Sequence, residues 1–426
     1  MSGTVVLERD VVLVDDPVLF SVRGCVPGEL VTVSATWKIG DETVRTEGRF
    51  VASRDGVVHP AHDESVGGTY VGVEPHGLWW SLDCQDPFEE SDVLAPWHVV
   101  VTATAGEWES TASLTRAKVD SAVRRVPVRA GRLRGIAFLP DRAGPLPSVI
   151  VFSGSGGGLG GVGGVQSSAA LFASHGFAAL ALAYFRYEDL PADLVEIPLE
   201  YFAEGIAWLK SQVTVLGDRV AVVGASRGGE LALLLGSTYP DEIAAVVAKV
   251  PSGVIWGGIG TEPIPDAPAW TLDGRPIAPL SGDDAERDDL PLRDGAIELT
   301  PSFEARLAAA SPADLAEATI PIERCGGPVL LLSAEDDAMW PSVALSEIIV
   351  ERGVAAGATR EIRHLRYGDA GHTFTTPAGF PIARAAVHPL SHQYYAYGGS
   401  LAGNAHASAD SWTEILQFLH NSLSTS

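Results

Sequence analysis

One stretch, VAVVGASRGGELALL at residues 220–234, restricts this chain more than any other. It begins as consecutive small and β-branched apolar residues, as a strand buried on both faces requires. It passes through Gly224-Ala225-Ser226-Arg227-Gly228 and ends in good helix formers. A strand that turns into a helix this abruptly forces the turning residue into strained backbone geometry, and neighbouring elements can close in only if the residues two positions away lack side chains. G-x-S-x-G with a strand before it and a helix after it therefore predicts a nucleophilic serine, Ser226, on a tight turn. A merely structural Gly/Ser turn is the plainer alternative.

A serine hydroxyl is a weak nucleophile until a base takes its proton, so the reading requires a histidine and a carboxylate that orients it. In a parallel sheet of this kind they follow the serine in the order acid, then histidine. LLLSAEDDAMWP places Asp336 and Asp337 at the end of the second strand after the nucleophile. YGDAGHTF places His372 in the loop after the final strand. Adjacent residues at a strand end point to opposite sides, so one aspartate serves: Asp337 is the choice, with Asp336 as the fallback and otherwise a turn-forming acid. The plainer role for His372 is a loop histidine bonded to its own backbone.

An acyl-transfer site also needs two backbone N–H donors for the developing oxyanion. One is the amide of Arg227, directly after the nucleophile; the other belongs to the loop Ser153-Gly154-Ser155-Gly156-Gly157-Gly158, at Ser155 or Gly156. That loop also satisfies G-x-G-x-x-G through Gly156, Gly158 and Gly161, the mark of dinucleotide binding. The acidic residue expected at the end of the next strand is missing, since Tyr184 and Phe185 stand there, and no P-loop lysine follows. No cofactor is expected. His59 and His62 in HPAHDE lack the further ligands of a zinc site, so no metal is expected either.

The rest of the chain divides by texture. Residues 1–120 show short alternating runs (LVTVSATWKI, TYVGVEP, WHVVVTATA) between Gly, Pro and Asp turns, which predicts an all-β sandwich with Trp79 and Trp80 in its core or at an interface; a carbohydrate platform is the sharper alternative. Residues 121–426 alternate apolar strands with helical patterns at about 165–175, 198–211, 227–238, 341–356 and 409–424, an open α/β domain. RRVPVRAGRLRG reads as a hairpin that opens it, its arginines a phosphate patch only on the sharper alternative. Residues 254–320, rich in Pro, Gly and Asp, are too long for an ordinary connection and predict a lid-like insertion, with a disordered excursion as the alternative.

A formal charge of −25, from 29 Lys plus Arg against 54 Asp plus Glu, opposes nucleic-acid or anionic-membrane partners, although its plainest meaning is solubility. Three scattered cysteines, no signal-like start and no 18-residue apolar run point to a cytoplasmic protein.

GTYVGVEPHGLWWSL, RVPVRAGRLRGIAFLP, ALAYFRYEDLP, PLEYFAEGIAWL, GASRGGELALLL, DDAMWPS, GDAGHTF and GGSLAGNAHASADSW together resemble the acyl-CoA thioesterase and bile acid-CoA:amino acid N-acyltransferase family over nearly the full length. The resemblance implies an immunoglobulin-like sandwich followed by an α/β-hydrolase domain with a mostly parallel sheet, and Ser226, Asp337 and His372 as nucleophile, acid and base. It implies a small-molecule acyl thioester as substrate and leaves the oligomeric state open. The family uses cysteine for transfer to glycine or taurine and serine for thioester hydrolysis. Serine here favours hydrolysis over an acyltransferase to an amine or alcohol, or a carboxylesterase. The lid segment aligns least, so the acyl group stays unspecified. A sandwich attached to an inactive hydrolase scaffold is the non-enzymatic rival.

Overall fold

A computed structural model describes residues 3–261, 267–280 and 290–424. The strands before residue 120 form two sheets, and their burial follows the predicted alternation. Trp97–Ala105, at the centre of a six-stranded sheet, buries every second residue, as a strand with one face on a core must. A three-stranded sheet of Thr4–Leu7, Phe20–Arg23 and Val57–Val58 supplies Val5, Val22 and Val58 to the same core as Val31, Val33, Phe50 and Val101. Trp79 is buried against Trp37, and Trp80 packs edge-on against His406 of the C-terminal helix, so the tryptophan pair divides between core and interface.

The largest sheet has eight strands: β1 (Val123–Ala130), β2 (Leu133–Pro140), β3 (Ser148–Phe152), β4 (Ala178–Ala183), β5 (Val220–Ala225), β6 (Ile243–Lys249), β7 (Val329–Ala334) and β8 (Ile362–Tyr367). Their spatial order is β1-β2-β4-β3-β5-β6-β7-β8, antiparallel at the β1–β2 and β2–β4 pairs and parallel elsewhere. This is the α/β-hydrolase architecture. The arginine-rich segment is the β1–β2 hairpin, and four of its arginines meet carboxylates: Arg125 with Asp92, Arg129 with Glu188, Arg132 with Glu204 and Arg134 with Asp189.

The longer helices are α1 (Val165–Ser174), α2 (Glu200–Gln212), α3 (Arg227–Thr238), α4 (Thr300–Ala309), α5 (Pro312–Ala318), α6 (Ser342–Ala355) and α7 (Leu401–Ser424). Successive residues of each central strand serve opposite layers. Val149, Val151, Ala221 and Val223 meet α1 and α7, while Ile150, Phe152, Val220 and Val222 meet α2, α3 and α6. The last helix starts at Leu401 rather than near 409, because Ser400 Oγ caps it by accepting from Gly403 N at 2.9 Å; Gly403 in its first turn masked that signal. No helix among the described residues is long and apolar enough to cross a membrane.

Of the insertion read at 254–320, residues 262–266 and 281–289 lie outside the described residues. The remainder is packed: Trp256 and Trp270 are buried, Phe303 is half-buried, and Trp270–Leu272 pairs with Ile197–Pro198 ahead of α2.

The β-rich segment is joined to the hydrolase layers by buried polar groups as well as by aromatic contact. Asp15, whose side chain is 2 % exposed, accepts from His175 Nε2 at 2.5 Å, after α1, and from Trp412 Nε1 at 2.8 Å, on α7. Lys118 pairs with Glu90 and lies over the Trp97 ring, which meets Phe380 edge-on. The hydrogen bond to Asp15 holds His175 above the usual histidine range, against the opposing effect of burial. Its contribution to stability is therefore complete below the unfolded value of about 6.5 and is lost as pH rises through the raised folded value. Asp15→Asn is expected to cost roughly 1.5–3 kcal/mol at about pH 6 and less at about pH 9. Thermal denaturation at the two pH values checks this, and an equal loss at both refutes it.

Candidate active site

Ser226 follows β5 and caps α3 with φ 58° and ψ −124°, a conformation that costs an L-residue of order 1–3 kcal/mol. Three backbone bonds hold it there: its N–H donates to Lys249 O at 2.9 Å, and its carbonyl accepts from Gly229 N at 2.8 Å and Glu230 N at 3.1 Å. The motif's glycines are sterically required. A Cβ on Gly224 would run into the Gly228 carbonyl, and a Cβ on Gly228 into the Ser153 carbonyl of the loop after β3.

That loop crosses the serine closely enough that a Cβ on Gly154 would lie 3.7 Å from Ser226 Oγ. Three of its carbonyls are taken by protein donors: Ser153 O by Tyr184 OH at 2.8 Å, Gly154 O by Gly157 N at 3.2 Å and Gly156 O by Arg186 NH1 at 2.9 Å. Among the described residues the amides of Ser155 and Gly156 donate to no protein acceptor. The amide of Arg227, in the first turn of α3, has no intrahelical acceptor either. The loop after β3 and the first turn of α3 thus each offer backbone amides without a protein acceptor.

His388 was not among the sequence candidates. Its Nδ1 accepts from Leu390 N at 3.4 Å and Ser391 N at 3.3 Å, which leaves the proton on Nε2 to donate to Ser155 Oγ at 3.0 Å. Burial, with Arg186 and His392 nearby, pushes its pKa down to about 4, so it braces the loop as a neutral group.

The two aspartates have different partners. Asp337 is buried, and both its oxygens lie 3.0 Å from His372 Nδ1. Its Oδ1 also accepts from Met339 N at 3.0 Å. Asp336 turns away into a two-pronged pair with Arg293 at 2.7 and 2.8 Å and accepts from Gly399 N at 2.9 Å. Arg293 holds the Asp336 carboxyl below the usual range. A carboxylate only accepts, so Nδ1 of His372 carries a proton, and in the neutral ring the lone pair is then on Nε2.

His372 sits at a junction of three loops. Its N–H donates to Tyr397 O at 2.7 Å, its ring stacks on Tyr397 at 6.2 Å, and Trp340 meets it edge-on at 6.0 Å. Gly398 and Gly399, with φ of 79° and 70°, let the loops touch: a Cβ on Gly398 would run into Asp336 O, and one on Gly399 into Gly371 N. Asn404 of α7 closes the junction, accepting from Gly371 N at 2.7 Å and donating to Gly398 O at 3.1 Å.

Ser226 and His372 are not hydrogen bonded to each other among the described residues; such bonds often tighten only when substrate is present. Lys249 joins their two segments. Its carbonyl takes the Ser226 N–H, and its buried Nζ donates to Thr375 O at 2.7 Å, three residues beyond the histidine. Burial pushes this amine down to about 8. Read as one more residue of an apolar strand, Lys249 gave no sign of this in the sequence. His59 and His62 lie in a turn in which His62 N donates to His59 O at 2.8 Å and His59 N to Asp63 Oδ2 at 2.6 Å.

The family model "Acyl-CoA thioester hydrolase/BAAT N-terminal region" matches residues 15–130, and "BAAT / Acyl-CoA thioester hydrolase C terminal" matches residues 197–425. The chain is similar to acyl-coenzyme A thioesterase 1 of Homo sapiens, 31% identical over 99% of this chain and 97% of that protein. It is 32% identical to acyl-coenzyme A thioesterase 3 of Mus musculus, over 99% and 95%. Among solved structures, a putative dienelactone hydrolase from Klebsiella pneumoniae aligns at 18% identity and a TM-score of 0.41, covering 70% of this chain and 97% of that one.

Gly224→Ala and Gly228→Ala are each expected to destabilise the protein by roughly 1–3 kcal/mol or more, because the obstructing atoms are backbone. Gly161→Ala, where a Cβ would meet nothing within 4 Å, should change stability by less than about 0.5 kcal/mol. Chemical denaturation of the three variants checks the contrast; equal losses would refute it.

Proposed function

The chain belongs to the acyl-CoA thioester hydrolase/BAAT family, and from that premise we propose that it hydrolyses an acyl-CoA or related acyl thioester through Ser226, His372 and Asp337. The observation that carries the reading is the buried two-oxygen contact of Asp337 with His372 Nδ1, on a loop tied by Lys249 to the strained serine turn. Ser226 Oγ attacks the thioester carbonyl while His372 Nε2 takes its proton, and Asp337 holds the imidazolium that results. The tetrahedral oxyanion is received by the amide of Arg227 and that of Gly156 or Ser155. As the C–S bond breaks, His372 returns the proton to the departing sulfur and the acyl group stays on Ser226 as an ester. Water, deprotonated by the same histidine, then releases the acid and restores the serine.

The thiol is the better leaving group of the two steps, so the serine ester is the species that persists and can be weighed. Ser226→Ala should abolish both turnover and the acyl-enzyme mass with acyl-CoAs from acetyl to palmitoyl. A Ser226→Ala enzyme that keeps its turnover rules the mechanism out. Product analysis with amine and alcohol acceptors separates hydrolysis from transfer: a conjugate in place of free acid identifies a transferase.

The same proposal distinguishes the aspartates. Asp337→Asn should reduce kcat by roughly 10³–10⁴-fold, because the amide cannot hold the productive tautomer. Asp336→Asn, which disturbs a half-exposed pair with Arg293, should reduce it by less than about tenfold. Steady-state kinetics of the two variants test the assignment, and the reverse ranking would exchange the roles.

A further inference from the structure

Two buried ionisable groups on the helical turn that follows the serine are not members of the proposed triad. Arg227 is 3 % exposed and Glu230, one turn later on α3, is wholly buried, with Arg227 NH1 3.0 Å from Glu230 Oε2. Both side chains also reach outward to the insertion. Arg227 NH2 donates to Trp256 O at 2.9 Å and Gly257 O at 3.1 Å, and Glu230 Oε1 accepts from Trp270 Nε1 at 2.8 Å.

Contacts continue from there to both halves of the site. Trp270 packs on Tyr184 at 5.8 Å, and the Tyr184 hydroxyl donates to Ser153 O at the root of the glycine loop. In the other direction Trp256 meets Phe303 at 4.9 Å, Phe303 meets Trp340 at 5.7 Å, and Trp340 meets the His372 ring at 6.0 Å. One helical turn thus grips two separated pieces of the insertion, and those pieces support the serine's loop and the histidine's ring.

Stability alone is a poor reason for such a pair. Desolvating two charges costs about as much as their attraction returns, and apolar replacements of similar volume are often as stable. A guanidinium that spans two carbonyls and a carboxylate does fix a register, which neither an apolar side chain nor a single ammonium can reproduce. We propose that the side chains of Arg227 and Glu230 are positioning residues that lock the insertion onto the nucleophile helix, and thereby hold the serine turn, the glycine loop and the aromatic backing of His372 in reactive alignment. The inference rests on the reading of Ser226 as nucleophile.

The test uses the full chain and a readout independent of the natural acyl group: the second-order rate at which a fluorophosphonate probe labels Ser226, with kcat and KM for p-nitrophenyl butyrate and a melting temperature for each variant. Arg227→Met/Glu230→Leu removes both charges together, leaves neither unpaired, and keeps the Arg227 amide. It should melt within about 5 °C of the parent yet label at least about tenfold more slowly, with the loss in kcat rather than KM. Arg227→Lys should fall between the two.

If the folded double variant labels at the parental rate, the inference is overturned and the nucleophile assignment stands. If the double variant fails to fold, Arg227→Lys decides: parental labelling overturns the inference, and a several-fold loss at an unchanged melting temperature supports it. If the parent is not labelled, or Ser226→Ala is labelled equally, the nucleophile assignment itself fails and the inference with it.

Discussion

The backbone of Ser226 is the constraint on which the rest of the structure depends. A residue with a side chain at φ 58° and ψ −124° must be held there by its surroundings, and the surroundings do this with backbone alone. Lys249 O receives its N–H and the first turn of α3 grips its carbonyl. The glycines at 224 and 228 bring β5, α3 and the β3 loop closer than any Cβ permits. The Cα–Cβ bond of Ser226 is therefore aimed by the backbone alone, at the end of β5. The order of strands beside β5 then decides what can meet it: β3 on one side carries the glycine loop, and β6, β7 and β8 on the other carry Lys249 and lead into the loops of Asp337 and His372.

Around that turn, and at the join with the β-rich segment, the protein buries polar groups that are answered by groups distant in sequence. Lys249 meets the carbonyl of Thr375, Arg227 the carbonyls of Trp256 and Gly257, and Asp15 the side chains of His175 and Trp412. Buried polar groups tolerate few alternative partners, because an unmade bond costs more than a made bond returns. They specify register more than they add stability. Such pins help hold loops from separate strand ends together.

Much of the fold was legible, and for local reasons. Near-continuous apolar runs predicted the central strands, and helix patterns predicted α1, α2, α3 and α6 to within about two residues. Ser226 and His372 could be singled out as candidates because turn chemistry is written in adjacent residues. Misreadings arose where a signal depended on partners. The start of α7 was missed because Gly403 weakens helix propensity, while its cap, Ser400, does its work only once the loop has folded back on Asp369. His388 and Asn404 carry no motif, because what they bind, Ser155 and the Gly371–Gly398 junction, is remote in the chain.

By itself the sequence determined the succession of a β-rich segment and a mostly parallel α/β sheet, and the strained serine turn, since each follows from sterics and periodicity within a few residues. Only the tertiary structure decided which aspartate faces the imidazole. Asp336 and Asp337 are chemically identical neighbours, and their difference comes from Arg293 standing on one side of the strand end and His372 on the other. That choice is made by three-dimensional placement of oppositely charged partners, and no property of the dipeptide contains it.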